Sequence, residues 1–97
     1  MRTEIYGIVF VDENGNGTYE AGEATIPNAR VLLDEKNSGY SDFEGIYAFY
    51  ELMPGEHTLK LDVNSVPLEY IPKIKLTNTI VLTEGSSTSF NFPLKKK

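Results

Sequence analysis

No part of this chain carries apolar residues at helical spacing over the length of a helix; short β-branched and aromatic runs recur instead, each bounded by turn residues. A run that alternates with period two buries one face only by lying in a sheet. Residues 3–11 place Ile5, Gly7, Val9 and Val11 on one face and Tyr6, Ile8 and Phe10 on the other, so this strand is expected to see little solvent. Gly7 at its middle points to the close approach of another backbone. Residues 29–34 send Val31 and Leu33 inward, and Glu35–Ser38 reads as a polar turn before a short strand at Gly39–Ser41. Asp42–Gly45 reads as a tight turn with Gly45 at positive φ. A strand follows at Ile46–Tyr50, with Tyr47 and Phe49 on one face. Pro54-Gly55 has the type II turn order, and His57–Asp62 alternates with Leu59 and Leu61 inward.

Residues 63–75 hold Pro67 and Pro72 and show no clear period, which predicts an irregular stretch with one helical turn near Asn64–Pro67. Leu76–Leu82 is a strand, Glu84–Ser86 a turn, and Ser89–Phe92 the last strand, with Phe90 and Phe92 inward. Seven short strands at regular spacing predict an all-β sandwich. If every connection reverses the chain, an odd count puts the two ends at opposite poles. The 12–23 loop, the 42–45 turn, the 63–75 stretch and the C-terminal end then share one pole.

The first connection carries the chemistry. Asp12 to Glu23 fits the calcium-loop pattern D-x-[DN]-x-[DN]-G-x5-E without a mismatch. Calcium is a hard cation that takes six to eight oxygens, and such a loop supplies them at fixed positions. The candidate ligands are Asp12, Asn14 and Asn16, the Thr18 backbone carbonyl, Glu20, and Glu23 as the closing carboxylate, with Gly17 at the sharp bend. A helical calcium hand would need an amphipathic helix on each side. The flanks here are the 3–11 strand and Ile26-Pro27, so the loop joins strands. Asn14 to Gly17 alone would pass for an ordinary Asx-rich turn; acids at the first, ninth and twelfth positions together are what a turn does not require. Asp42, Glu44, Asp62 and Asn64, predicted near the same pole, are secondary candidates whose ordinary reading is as turn and strand-end residues.

Composition bounds the rest. The 97 residues suffice for one domain, assigned to residues 1–94, with Lys95-Lys96-Lys97 read as a solvated basic tail. A net charge of −5 argues against nucleic acid or an anionic membrane as partner. No apolar run approaches the ~18 residues of a spanning helix. There is no cysteine, so disulfides are excluded as staples and a bound ion is a natural substitute. Met1-Arg2-Thr3-Glu4 leads straight into a strand with no secretory leader, which reads as an intracellular protein or one domain of a longer chain.

Gly7-x-Val9-Phe10-x-Asp12-x-Asn14-Gly15-Asn16-Gly17, then Gly22-Glu23, Ile26-Pro27 and Val31-x-Leu33, resemble the B-type repeat domains of bacterial surface adhesins. These are the SdrD-B-like domains and their Cna-B-type and carboxypeptidase-regulatory-like relatives. Asp42-x-x-Gly45-x-Tyr47-x-Phe49-x-x-Leu52-x-Pro54-Gly55 continues the likeness. The resemblance implies a seven-stranded immunoglobulin-like, prealbumin-like β-sandwich. It also implies Ca2+ held by the first loop, and a spacer role in a secreted or cell-surface protein. Its partners would be neighbouring domains of the same chain and a host or cell-surface protein or glycan, with no nucleic acid and no membrane insertion. The isolated domain is expected to be a monomer. Two departures stand out. Glu20 replaces the usual Asp at the ninth loop position. The first strand also lacks the lysine that Cna-B-type domains join to a last-strand asparagine, so Asn91 is expected to form no isopeptide bond, and a mass short by one ammonia would contradict this.

A carbohydrate- or peptide-binding module is the alternative function, with Tyr6, Tyr40, Tyr47, Tyr50 and Tyr70 as candidate platforms, although tyrosines in a small sandwich mostly belong to the core. Catalysis is not expected. His57 is the single histidine, and the chain has no cysteine nucleophile, G-x-S-x-G elbow or phosphate loop.

Overall fold

The computed structural model describes residues 3–13, 15 and 18–96. Among them nine strands form: β1 (Glu4–Val11), β2 (Arg30–Leu33), β3 (Asn37–Tyr40), β4 (Ile46–Phe49), β5 (Gly55–Leu61), β6 (Tyr70–Pro72), β7 (Thr77–Leu82), β8 (Ser87–Ser89) and β9 (Phe92–Lys96). A single 3-10 turn at Val63–Ser65 sits close to the predicted helical turn. One sheet runs β4-β1-β9-β6, with β8 also paired to β1, and the other runs β3-β2-β5-β7. Their inner faces meet over Ile5, Val9, Tyr47, Phe49 and Leu94 on one side and Val31, Leu33, Leu59 and Leu61 on the other, as the alternation predicts. This is a β-sandwich.

The two strands beyond the expected seven have separate causes. The predicted last strand, 89–92, divides into β8 and β9 because β1 changes partner midway: Glu4–Tyr6 pair in parallel with β8, and Val9–Val11 pair in parallel with β9. At the break the Phe90 carbonyl lies against Gly7, where an added Cβ would sit 1.8 Å from that oxygen. The Tyr47 hydroxyl donates to the same carbonyl. Asn91 Oδ1 accepts the Ile8 N–H at 3.0 Å, replacing the missing ladder acceptor with a side chain. The other new strand is β6, inside the stretch read as irregular. It pairs with β9, which draws Lys95 and Lys96 out of the predicted tail and into register with Ile71 and Tyr70.

Two smaller expectations shift. β1 is covered on both faces only in its second half: Tyr6 is 43% exposed, whereas Phe10 is fully buried beneath the returning loop through the Phe10–Thr25 bridge and the Tyr19 ring, 5.6 Å away. The polar turn begins earlier than Glu35, with Lys36 N–H donating to Leu33 O across Asp34 and Glu35, both in the left-handed region (φ 52° and 61°).

Because β1 and β9 run parallel, the chain enters at one pole and leaves at the other. The connections do not all reverse direction, since β8 passes straight into β9, yet the predicted gathering at one pole holds. Lys73 N–H donates to Pro93 O beside the end of β1, and a Cβ on Gly45 would lie 2.6 Å from Thr25.

Candidate functional site

The 12–23 loop leaves β1 at the pole where β9 ends, with Asp12 N–H donating to Leu94 O at 2.8 Å. Val11 N–H donates to Ala24 O and Ile26 N–H to Val9 O, so the loop returns along the strand it left. Its two ends are therefore fixed by the sheet, and charged groups close the interior. Glu23 spans the loop: Oε2 accepts the Glu13 N–H at 2.9 Å and Oε1 accepts the Glu20 N–H at 2.8 Å. Its carboxylate thus returns to the first turn of the loop and ties the two halves together through backbone N–H groups. Gly15 and Gly22 take φ of 74° and 97°, a region glycine enters without steric cost.

Asp12 is the buried member. Its side chain has no solvent exposure, and Oδ2 accepts from Lys73 Nζ at 2.9 Å. A carboxylate taken out of water needs a compensating charge, and the connection before β7 delivers one. Sequence reasoning missed Lys73. It lies 61 positions away in a stretch with no period, and only the β6–β9 pairing brings it to the loop. Among the described residues no three acidic side chains converge as a metal cluster. Asn14 and Asn16, two of the candidate ligands, and Gly17 at the bend lie outside the described residues. The candidate groups that are described, Asp12, the Thr18 carbonyl, Glu20 and Glu23, all offer oxygens, the atoms that hard cations take.

The secondary candidates are engaged locally. Asp42 Oδ1 accepts the N–H groups of Glu44 and Ile46, closing its own turn with Gly45 at φ 82°. Asp62 Oδ1 caps the 3-10 turn by accepting the Asn64 N–H, and Asp62 Oδ2 faces Arg30 at 3.5 Å. The candidate tyrosines divide: Tyr47 is buried, and burial raises its hydroxyl pKa well above the ordinary value, whereas Tyr6, Tyr40 and Tyr50 are exposed.

A second charged cluster lies at the opposite pole. His57, on β5, is held on both ring nitrogens: Nδ1 is 2.6 Å from Asp34 Oδ2, and Nε2 is 2.6 Å from Met53 O. Asp34 Oδ1 also accepts the Thr58 N–H at 2.9 Å. Two acceptors flanking one imidazole are both satisfied only when both nitrogens carry protons. The Met53 carbonyl, and then Asp34, accordingly hold the His57 pKa above its ordinary 6.5, against burial, which lowers it. Burial alone would raise the Asp34 pKa; the Thr58 N–H and His57 outweigh it and hold that pKa below the ordinary 3.8. Both ring nitrogens are thus engaged within the fold.

No family model matches the sequence, and no curated protein matches it. Solved structures match in fold. The chain is similar to GBS52, the minor pilin of the Gram-positive pathogen Streptococcus agalactiae, with a TM-score of 0.73 and 13% identity over 99% of this chain and 45% of that one. It is similar to BcpA, the major pilin subunit of Bacillus cereus, with a TM-score of 0.69 and 13% identity over 100% of this chain and 31% of that one. It is also similar to the major plantain pollen allergen Pla l 1, with a TM-score of 0.63 and 18% identity over 100% of this chain and 97% of that one. The chain spans less than half the length of either pilin. These matches show that the chain shares the β-sandwich fold of these pilin domains. A pilin and a pollen allergen share it, so the fold alone assigns no function.

Proposed function

We propose that this chain is a non-catalytic structural module of a cell-surface or secreted protein, a spacer set between neighbouring domains, whose 12–23 loop is stiffened by calcium. The observation that carries the spacer reading is the parallel pairing of β1 with β9. It sends the chain out at the pole opposite its entry, so consecutive copies extend as a rod. The likeness to pilin folds supports the surface setting. Small-angle scattering on two copies joined in tandem tests it: the longest dimension should be about twice that of one copy, and a side-by-side pair of unchanged length would sink the idea.

In the calcium reading the ion is held by Asp12, Asn14, Asn16, the Thr18 carbonyl, Glu20 and Glu23. A bound calcium supplies a fixed double positive charge that ties the loop to the end of β1. Two features support this: a fully buried carboxylate at the first position, and a twelfth-position carboxylate folded back across the loop. Such a donor set belongs to the moderate-to-weak range, about 10⁻⁵ to 10⁻³ M. Calcium at a hundred times its dissociation constant would stabilise the fold by about 2.7 kcal/mol. Melting in excess calcium and in chelator checks this; coincident curves would refute calcium binding and leave the spacer reading standing.

A glycan- or peptide-binding role is the second reading, supported by the exposure of Tyr6, Tyr40 and Tyr50. Chemical-shift changes at those rings during a glycan titration would favour it over a passive spacer.

A further inference from the structure

Among the described residues five strands, β3, β4, β6, β7 and β8, have an unpaired side, and all but β7 are short or covered; β8 pairs only with β1 and is three residues long. β6 is three residues long and ends in Pro72. β3 and β4 lie along the side where the chain crosses between sheets; Asp42 N–H donates to Ile46 O there, and a Cβ on Gly39 would meet the Phe49 ring at 2.8 Å. The longest edge, β7, has six residues and reads Thr-Asn-Thr-Ile-Val-Leu, with no charge, proline or glycine. Natural sheets rarely leave such an edge unguarded, because it is a template for another strand.

Its backbone is open in a defined way. Leu61 N–H donates to Leu76 O, and the register continues through Leu59↔Asn78, His57↔Ile80 and Gly55↔Leu82. In an antiparallel ladder the residues of these pairs turn their N–H and C=O groups toward each other, and the intervening residues turn theirs away. Thr77, Thr79 and Val81 therefore present their backbone groups outward. Their side chains are exposed on the outer face, Val81 at 69%.

We infer that β7 is a lateral docking strand whose partner is β7 of a second copy of this chain, paired antiparallel about a two-fold axis. The charges flanking the edge favour this occupant. Exposed Lys75 precedes the strand and exposed Glu84 follows it. Antiparallel self-pairing sets the basic end of each edge beside the acidic end of the other, whereas a parallel partner copy would place like charges together. The chain carries a net charge of −5, and this uncharged strand brings two copies together with no buried charge. An isologous contact of this kind consumes both edges and closes at two copies. Six residues of edge bury far less than the ~1,600 Å² of a standard interface, so the pairing is weak, with a dissociation constant on the order of 0.1 to 1 mM. It matters where copies are concentrated on a surface or held side by side, and dilute protein is monomeric. The inference does not depend on calcium or on the spacer reading.

Sedimentation of the full chain from micromolar to millimolar concentration, with amide exchange followed by NMR, tests it. A reversible monomer–dimer equilibrium is expected, with exchange at Thr77, Thr79 and Val81 slowing as concentration rises. Val81→Lys, at an exposed position, should leave melting unchanged and weaken the dimer at least tenfold. Lys75→Glu should weaken it, and Lys75→Glu combined with Glu84→Lys should restore it. A monomer at every concentration, open-ended assembly, a dimer indifferent to Val81→Lys, or a dimer that leaves those three amides unprotected would each overturn the proposal.

Discussion

The two poles of this sandwich are each held by a carboxylate paired with a basic side chain, and the pairs differ in the two properties that decide how they respond. At the pole where the chain leaves, Asp12 is wholly buried and its partner is the ammonium of Lys73. At the entry pole, Asp34 is 39% exposed at its side chain and its partner is an imidazole. An isolated buried charge is far more costly than one at the surface, and an imidazole, unlike an ammonium, changes charge near neutral pH. The first pair is therefore a large structural term that ordinary pH leaves unchanged. The second is a small one that pH can modulate. The Asp34–His57–Met53 contacts tie the left-handed turn at Asp34 and Glu35 to the segment before β5, where Glu51 is also at positive φ (57°).

The comparison predicts its largest effect at Asp12. Asp12→Ala should lower stability by about 3 kcal/mol, the low end for breaking a buried pair, because the Lys73 side chain retains some solvent contact. Denaturant unfolding measures this, and a loss under 1 kcal/mol would place the pair among ordinary surface salt bridges. Lys73→Met comes next. It should cost a similar amount, about 3 kcal/mol, since the methionine covers the same apolar surface but leaves the buried Asp12 without its compensating charge. If the proposed calcium site is real, the substitution should also increase the stabilisation that calcium brings, because ion and ammonium would draw on one carboxylate. An unchanged calcium response would separate the two cations.

The smallest effect concerns pH at the other pole. The His57 pKa is raised on folding, so its contribution is complete below the unfolded value of about 6.5 and is lost as pH climbs through the folded value. The Asp34 pKa is lowered, so its contribution is present above about 3.8 and is lost as pH falls through the folded value. Unfolding free energy should therefore hold level between those limits and decline above pH 6.5. His57→Gln should cost about 1 kcal/mol at pH 5.5 and flatten the decline at higher pH. Asp12→Ala should leave the decline in place; a decline abolished by Asp12→Ala and untouched by His57→Gln would reverse the assignment of the two poles.

Legibility followed the range of the interaction. Val31, Leu33, Tyr47, Phe49, Leu59 and Leu61 face the core as their alternation predicts, because side-chain parity in a strand is a local property. Gly7 was readable for a related reason: a missing Cβ in an apolar run signals that something presses close, and the Phe90 carbonyl does. β6 was not readable. Tyr70–Pro72 has no alternation of its own and becomes a strand only because β9 lies beside it. The division of the last strand, and with it the Asn91 side chain standing in for a ladder acceptor, depends on β1 exchanging partners, which no local pattern encodes.

The same division runs through the candidate site. The sequence by itself determined the all-β class, the inward residues of the main strands, and a loop whose acids recur at calcium-binding spacing, since each depends on residues a few positions apart. Only the tertiary structure decided that Lys73 stands against Asp12, that Met53 and Asp34 enclose His57, and that β7 is left as the bare edge. Those outcomes join residues remote in the chain, and which distant groups meet is set by packing the whole sandwich at once.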